Sequence, residues 1–206
     1  MSSYFQKKVK CGCCGAESVI SVLTGLYRHG AMEMDTYPGE KAVYDWVQEC
    51  PVCGYAGHDI SAAANEEVKK MIADGAHIEE KTTDPTERRL LAAAKISETD
   101  KDLKKAAYGY LMLSWYRRDH GTDSREAMEK AAALYAAYLE DHADIDPAIT
   151  YIDIERQLGN FKEAEETAES LENYISDDFR RKLITREKEL SAAGDSGRHS
   201  VKEVSR

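Results

Sequence analysis

Apolar and polar residues follow two different patterns along the chain, and the change falls near Gly57. Before it, short β-branched runs at residues 4–11 and 18–24 flank a Gly-rich turn, which is typical of a β-hairpin. Residues 43–48 alternate apolar and polar side chains, so we predict a third strand that closes a small sheet. After Gly57 the composition changes to Ala, Glu, Lys and Leu, and strand signals end. The pattern predicts a small N-terminal β module followed by helices.

Helical periodicity accounts for most of the chain after this point. Asp84-Pro85 places a capping residue before a proline at the first helical position. Residues 101–120 are apolar on nearly every side, which predicts a helix buried between neighbours. The predicted helices cover about residues 61–73, 86–96 and 101–120, then one after Asp123 or Ser124, one from Asp146-Pro147 to Gly159, a partner that contains Phe161, Ala164 and Ala168, and a last one over 178–190.

The five cysteines all lie in the β module, and four of them form two copies of Cys-x-x-Cys-Gly. Such a turn presents two thiolates to one metal ion, and the glycine tolerates a backbone that directs N–H groups at the sulfurs. Cys11, Cys14, Cys50 and Cys53 therefore supply four ligands, which is the closed set of one structural zinc ion. The 35 residues between Cys14 and Cys50 exceed the roughly 15 to 20 of a compact zinc ribbon, so an insertion lies there.

These observations divide the chain into four predicted segments. Residues 1–60 form a zinc-ribbon-like module, residues 61–83 a helix and a linker, and residues 84–191 a helical domain. We expect the helical domain to fold without the metal. Residues 192–206 have the Gly, Ser and charge content of a disordered tail.

One segment of the helical domain is similar to a tetratricopeptide repeat. Residues 151–164 (YIDIERQLGNFKEA) match its helix-turn-helix junction, with Gly159 and Phe161 at corresponding places. A looser copy precedes it, and the 37 residues from Ala127 to Ala164 lie near the repeat's period of about 34. We expect degenerate, antiparallel helical repeats, and a nonrepetitive bundle is the alternative.

The order of the motifs is itself informative. It consists of Cys-x-x-Cys-Gly, Pro38 in the insertion, YDWVQECPVCGYA at residues 44–56, Trp115 and RQLGN at residues 156–160. This arrangement resembles a family of uncharacterised bacterial proteins known as domain of unknown function 2225, over about residues 7–185. The resemblance implies a bacterial cytoplasmic protein with zinc and helices, and it implies no activity. The family usually has proline where this chain has Gly12, which leaves Cys13 as an unusual neighbour.

Charge and hydropathy limit the classes of function. The 28 Lys and Arg against 38 Asp and Glu give a net charge of −10, which opposes nonspecific nucleic-acid binding. Residues 1–60 carry five basic and seven acidic side chains, so no basic patch is evident there. No window approaches the roughly 18 apolar residues of a membrane-spanning helix, and the N-terminus has no signal or transit peptide. We expect a soluble, cytoplasmic protein.

No motif indicates catalysis. His77-Ile78-Glu79 matches the His-x-Glu of zinc deaminases, but the Pro-Cys-x-x-Cys that this chemistry needs does not follow it. A thioredoxin-type interpretation of either cysteine pair would need a βαβ context, and phosphate-binding loops are absent from the sequence. We therefore expect a protein that is not an enzyme.

Three functions remain open at this point. The first is an adaptor that binds a protein or peptide, an acidic one in particular, through Tyr108, Arg117, Arg118 and Arg156 on the repeat helices. Packing or solvated charge is the alternative for each of these four. The second is a nucleic-acid-binding zinc ribbon, which the acidic balance disfavours. The third is a thiol-based redox or metal sensor that uses Cys13, which is otherwise a bystander or an alternative ligand. The biological process and the oligomeric state do not follow from the sequence.

Overall fold

The computed structural model describes residues 2–27, 30–78, 82–172 and 174–204. Its strands are β1 (Ser3–Lys10), β2 (Glu17–Gly25), β3 (Gln48–Glu49) and β4 (Ala56–Gly57). Its α-helices are α1 (Glu66–Ala73), α2 (Pro85–Thr99), α3 (Leu103–Asp119), α4 (Arg125–Asp141), α5 (Ile145–Leu158), α6 (Phe161–Glu172) and α7 (Asp178–Ala192). Two short 3₁₀ helices cover Lys41–Trp46 and Val201–Glu203. This order confirms the predicted mostly helical fold with a small N-terminal β module, whereas the likeness to tetratricopeptide repeats stays a prediction.

The β module contains two separate antiparallel hairpins. β1 pairs with β2 as predicted, with Lys10 opposite Glu17. The predicted third strand over residues 43–48 is wrong, because most of it forms the first 3₁₀ helix, while β3 pairs with β4. Val43 and Tyr44 are 0% and 3% exposed. Two adjacent side chains that both point into the interior do not fit a strand, where neighbours point to opposite faces.

The chain forms two compact units that do not follow the predicted boundaries. The first contains Met1–Tyr27 and Glu40–Ala127, and the second contains Arg28–Gly39 and Met128–Arg206. The helices α1, α2 and α3 thus belong with the cysteine turns, and they are separated from the rest of the predicted 84–191 domain. The insertion between the two cysteine pairs contributes part of the second unit.

Within the first unit, the first 3₁₀ helix links the β module to α2 and α3. The Tyr44 ring meets the Tyr116 ring edge-on, with their centroids 5.1 Å apart, and the Tyr44 hydroxyl donates to Asp119 at 2.9 Å. The Arg89 guanidinium on α2 donates to the Asp45 carboxylate at 3.1 Å. The cysteine module and these two helices therefore share one core.

Local signals locate the helix ends well. The Asp84 side chain accepts two backbone N–H groups at 2.9 Å each, and Pro85 is the first residue of α2. Gly159 ends α5 with φ at 86°, in the left-handed region that favours glycine. The Asn160 N–H then donates to the Glu155 carbonyl at 2.9 Å, which closes the last turn. Both ends agree with the sequence motifs that predicted them.

The second unit is built on α5, α6 and α7, which contact one another. Its buried side chains include an apolar cluster to which the insertion contributes one residue. The cluster consists of Met34, Ile149, Ile152, Ala164, Ala168, Ile175, Leu183, Ile184 and Leu190. Because Met34 is 3% exposed, the insertion is an integral part of this core.

Arg156 is buried at the centre of the second unit. Its side chain is 0% exposed and pairs with Asp153 on α5 and with Glu187 on α7, the latter at 2.6 Å. It also donates to the carbonyls of Asp195 and Gly197 at 2.7 Å each. This corrects the expectation that Arg156 lies on an exposed basic face. A buried guanidinium needs partners for its donors, and two carboxylates and two carbonyls supply them.

The C-terminal segment, for which composition predicted disorder over 192–206, makes defined contacts as far as it is described. Its carbonyls at residues 195 and 197 accept from Arg156. The Met34 N–H donates to the His199 carbonyl and the Val201 N–H to the Met32 carbonyl, at 3.0 Å each. Residues 205–206 lie outside the described part. The contacts that order this segment come from residues distant in sequence, which its own composition does not reveal.

We predict that Arg156→Met lowers the free energy of unfolding by about 3 to 5 kcal/mol, because it leaves two buried carboxylates without their cation. Urea unfolding measures the loss, and hydrogen exchange should show faster exchange over residues 195–204. Arg181→Met is the matched control, since Arg181 has a side chain 49% exposed and should change stability by less than about 1 kcal/mol. Equal losses in both variants would contradict the central role of Arg156.

A second prediction concerns pH. Burial, together with the charge of Glu187, raises the pKa of Asp153 from 3.8 to about 7, against the opposing effect of Arg156. The folded chain therefore retains a proton that the unfolded chain loses near pH 4. The contribution of Asp153 to stability is greatest below pH 4 and is lost as the pH rises to 7. Between these values the unfolding free energy of the wild type should fall relative to that of Asp153→Asn, and parallel curves would contradict the shift.

Candidate metal centre

The two Cys-x-x-Cys-Gly turns have the same backbone geometry. The Gly15 N–H donates to the Cys11 carbonyl and the Gly54 N–H to the Cys50 carbonyl, both at 2.9 Å. Both glycines have φ at 74°, where a side chain is disfavoured. The repeated sequence motif is thus a repeated structure, and each copy presents two sulfurs on one side.

The four sulfurs of the two turns lie together. All of them are within 4.8 Å of one another, the Cys11 and Cys53 sulfurs are 3.8 Å apart, and so are those of Cys14 and Cys50. A zinc–sulfur bond of about 2.3 Å in a tetrahedron gives a sulfur–sulfur edge of about 3.8 Å. A disulfide bond would need about 2.05 Å. The two distances of 3.8 Å therefore match the edge of a tetrahedral metal site, and the cysteines form no disulfide.

Backbone N–H groups point at these sulfurs, while burial opposes their ionisation. The Cys13 N–H lies 3.4 Å from the Cys11 sulfur. Burial raises the pKa of the Cys11 and Cys53 thiols, whereas the N–H of Ala16 lowers the pKa of the more exposed Cys14. Since a metal binds the thiolate form, a bound cation would displace protons from Cys11 and Cys53, and the N–H groups would stabilise the resulting charge.

The first turn is held against the segment that leads into α1. The Gly12 N–H donates to the Ile60 carbonyl at 2.8 Å, and the Ala64 N–H donates to the Gly12 carbonyl at 3.3 Å. A Cβ on Gly12 would lie 1.8 Å from the Ala62 carbonyl oxygen, so no side chain fits there. Gly12 is therefore a point at which the first turn and this segment approach each other without room for a side chain.

The buried His77 ring lies beside Gly54 in the second turn. It is 2% exposed, and its Nε2 would lie 2.7 Å from a Cβ on Gly54. Burial lowers its pKa, and neither ring nitrogen has a hydrogen-bond partner among the described residues. The His-x-Glu match that included Glu79 falls partly outside the described residues. His77 therefore packs against the second turn at Gly54. Its sequence neighbours do not indicate this role.

Cys13 lies next to the four-cysteine cluster but is not one of its members. Its side chain is half-buried, and burial raises the pKa of its thiol. What it contributes to the cluster is its backbone N–H, which points at Cys11. Its possible roles as a redox-active thiol or an alternative ligand stay predictions.

The four residues predicted to contact a partner do not form an exposed basic face. Arg117 has a side chain 18% exposed and donates to Glu87 at 2.7 Å. Tyr108 packs against Trp115, with the ring centroids 5.7 Å apart, and Arg118 is half-buried. Arg156 is buried and ion-paired, so packing or ion pairing is the observed environment of Tyr108, Arg117 and Arg156.

Sequence analysis missed a group of lysines beside the first turn. Lys7, Lys8 and Lys10 on β1 and Lys69 on α1 line one open groove next to the cysteines. Counting charges over residues 1–60 concealed the group, because Lys69 lies outside that window and most of the acids lie elsewhere. The signal that could have found it is the density of lysines in a single predicted strand.

In the described part of the chain, no helix has the length and apolar character needed to cross a membrane. Comparison with protein-family models, with curated proteins and with solved structures gave no match. The chemical character of the site therefore rests on the residues themselves.

We predict about one equivalent of zinc per purified chain, measured by elemental analysis. Cys11→Ser and Cys50→Ser should lose the metal and unfold the β module, because a tetrahedral thiolate site needs all four ligands. Cys13→Ser is the matched control and should retain it. Metal loss from Cys13→Ser together with retention in Cys14→Ser would overturn the ligand assignment.

Proposed function

We propose that this chain is a zinc protein whose metal is structural and whose folded surface binds a protein or peptide partner. The observation that carries this proposal is the set of four cysteine sulfurs within 4.8 Å of one another, two of whose separations are 3.8 Å. Four thiolates complete the coordination of zinc, and zinc that acts on a substrate keeps a position open. Iron also occupies such sulfur sites, so metal analysis is part of the test.

The arrangement around the cysteines supports a structural role for the metal. Each turn connects the two strands of an antiparallel hairpin, and β1 and β2 bury little of their own surface. Small modules without a sufficient hydrophobic core are commonly stabilised by a metal. A bound ion would link the hairpin at residues 3–25 to the second hairpin at residues 48–57.

Partner binding is the part of the proposal that builds on the helices and on the resemblance to an uncharacterised bacterial family. Helical repeats present extended surfaces for peptides. A reducing compartment such as the cytoplasm suits four unbonded thiols. The arginine face expected from sequence does not support this function, and the lysine groove beside the first turn replaces it.

Binding of nucleic acid is the second candidate, and the same lysine groove is the observation that favours it. Lysine side chains next to a zinc turn could neutralise phosphates. Against this, the chain carries a net charge of −10, which repels a polyanion at long range. We therefore rank protein or peptide binding first.

A cobalt-substituted chain tests whether the coordination sphere is closed. With four thiolate ligands, the visible spectrum of the Co²⁺ form should not change when azide is added, because no position is open. Azide added to free Co²⁺ in the same buffer is the positive control, because the solvated ion has exchangeable positions. A spectral change in the wild type would show an open metal site and would replace the structural role with a catalytic one.

A further inference from the structure

The strand β1 has a free edge. Its one strand neighbour is β2, and within the described residues its backbone makes no other backbone hydrogen bond. Seven of its eight residues are exposed, and Val9 is the buried one. An exposed edge of this kind offers a row of N–H and C=O groups to another extended chain.

Lysine side chains accompany this edge. The groove beside β1 has a volume of about 710 Å³ and is lined by Lys7, Lys8, Lys10 and Lys69, without an acidic residue. Lys8 pairs with Glu17 and Lys69 pairs with Glu66, each at 2.7 Å. All four of these side chains are more than 40% exposed. Exposed pairs contribute little to stability, so these lysines can exchange their carboxylate partners at small cost.

Lys7 and Lys10 are the cations that remain. Neither makes an ion pair with a described residue. A divalent ion bound by four thiolates carries a formal charge of −2, but Cys11 and Cys50 are 2% and 1% exposed and their turns direct N–H groups inward. Backbone N–H groups therefore partly compensate the negative charge of the metal centre. Lys7 and Lys10 remain available to an external anion.

We propose that an extended acidic segment of a partner protein adds to the free edge of β1 as a third strand, with its carboxylates against these lysines. This inference rests on the proposed binding function and names its partner class. A peptide can form backbone hydrogen bonds with the edge of β1, whereas a nucleic acid can interact only with the charges of the lysines. A second copy of β1 would bring lysines against lysines, so self-pairing is opposed.

The test uses the full zinc-loaded chain and a fluorescein-labelled peptide of Glu-Glu-Val-Val repeats, about as long as β1. Such a peptide carries carboxylates on both faces of an added strand, and Lys7 and Lys10 lie on opposite faces of β1. Fluorescence anisotropy should show saturable binding. Lys7→Glu with Lys10→Glu should weaken it at least about tenfold, because attraction becomes repulsion at two positions. Lys41→Glu with Lys162→Glu is the control, since it makes the same change in net charge at exposed lysines away from the groove.

Two further probes separate strand pairing from attraction by charge alone. The same peptide with every second backbone nitrogen methylated keeps its carboxylates but loses donors, so it should bind at least about tenfold more weakly. Hydrogen exchange over β1 should slow when the unmethylated peptide is bound. Equal binding of the methylated peptide, no binding of the unmethylated one, or tighter binding of an oligothymidylate of similar length would each overturn the proposal. Because the cobalt spectrum is read separately, failure here is distinguishable from failure of the structural metal.

Discussion

Four sulfur atoms held within 4.8 Å of one another are the constraint on which the N-terminal half depends. Four thiolates at such distances repel one another strongly unless a cation lies among them. The hairpin that carries the first turn has one fully buried side chain in each strand, Val9 and Leu23, so apolar burial alone does little to fix it. The short backbone bonds that close each turn then determine where the sulfurs can lie. The conformation of the β module is thus determined mainly by the need to bring four cysteine ligands together.

The features that could be predicted from sequence are those determined by nearby residues. The residues of a Cys-x-x-Cys-Gly turn determine its backbone geometry themselves. The two copies in the sequence therefore predict one shared metal ion. Asp84 before Pro85 and the glycine at position 159 marked helix ends correctly because capping involves residues only a few positions apart. The choice of four cysteines among five relied on the same local rule, and it leaves Cys13 outside the cluster.

The features that could not be predicted depend on residues far apart in the chain. Residues 43–46 show a weak alternation of apolar and polar side chains, which predicted a strand. The adjacent side chains of Val43 and Tyr44 are both buried, and the Tyr44 ring meets the Tyr116 ring of α3. Arg156 looks like an ordinary surface cation in the sequence, yet its partner Glu187 lies 31 residues away and its carbonyl acceptors lie still farther. Composition describes a segment by itself, so it could not indicate that the carbonyls of Asp195 and Gly197 accept from a buried guanidinium.

The insertion has a consequence for the order in which the protein is assembled during synthesis. Residues 30–39 are made between the two cysteine pairs but belong to the unit that ends with the chain. Domains generally fold as they emerge from the ribosome. The first unit is complete once Ala127 has emerged, so its metal site can close while the insertion is still a loop held at both ends by cysteines. The backbone partners of Met32 and Met34 are Val201 and His199, which are synthesised more than 160 residues later. A ribosome that stops early would therefore release a chain whose first unit is finished and whose insertion has nothing to pack against.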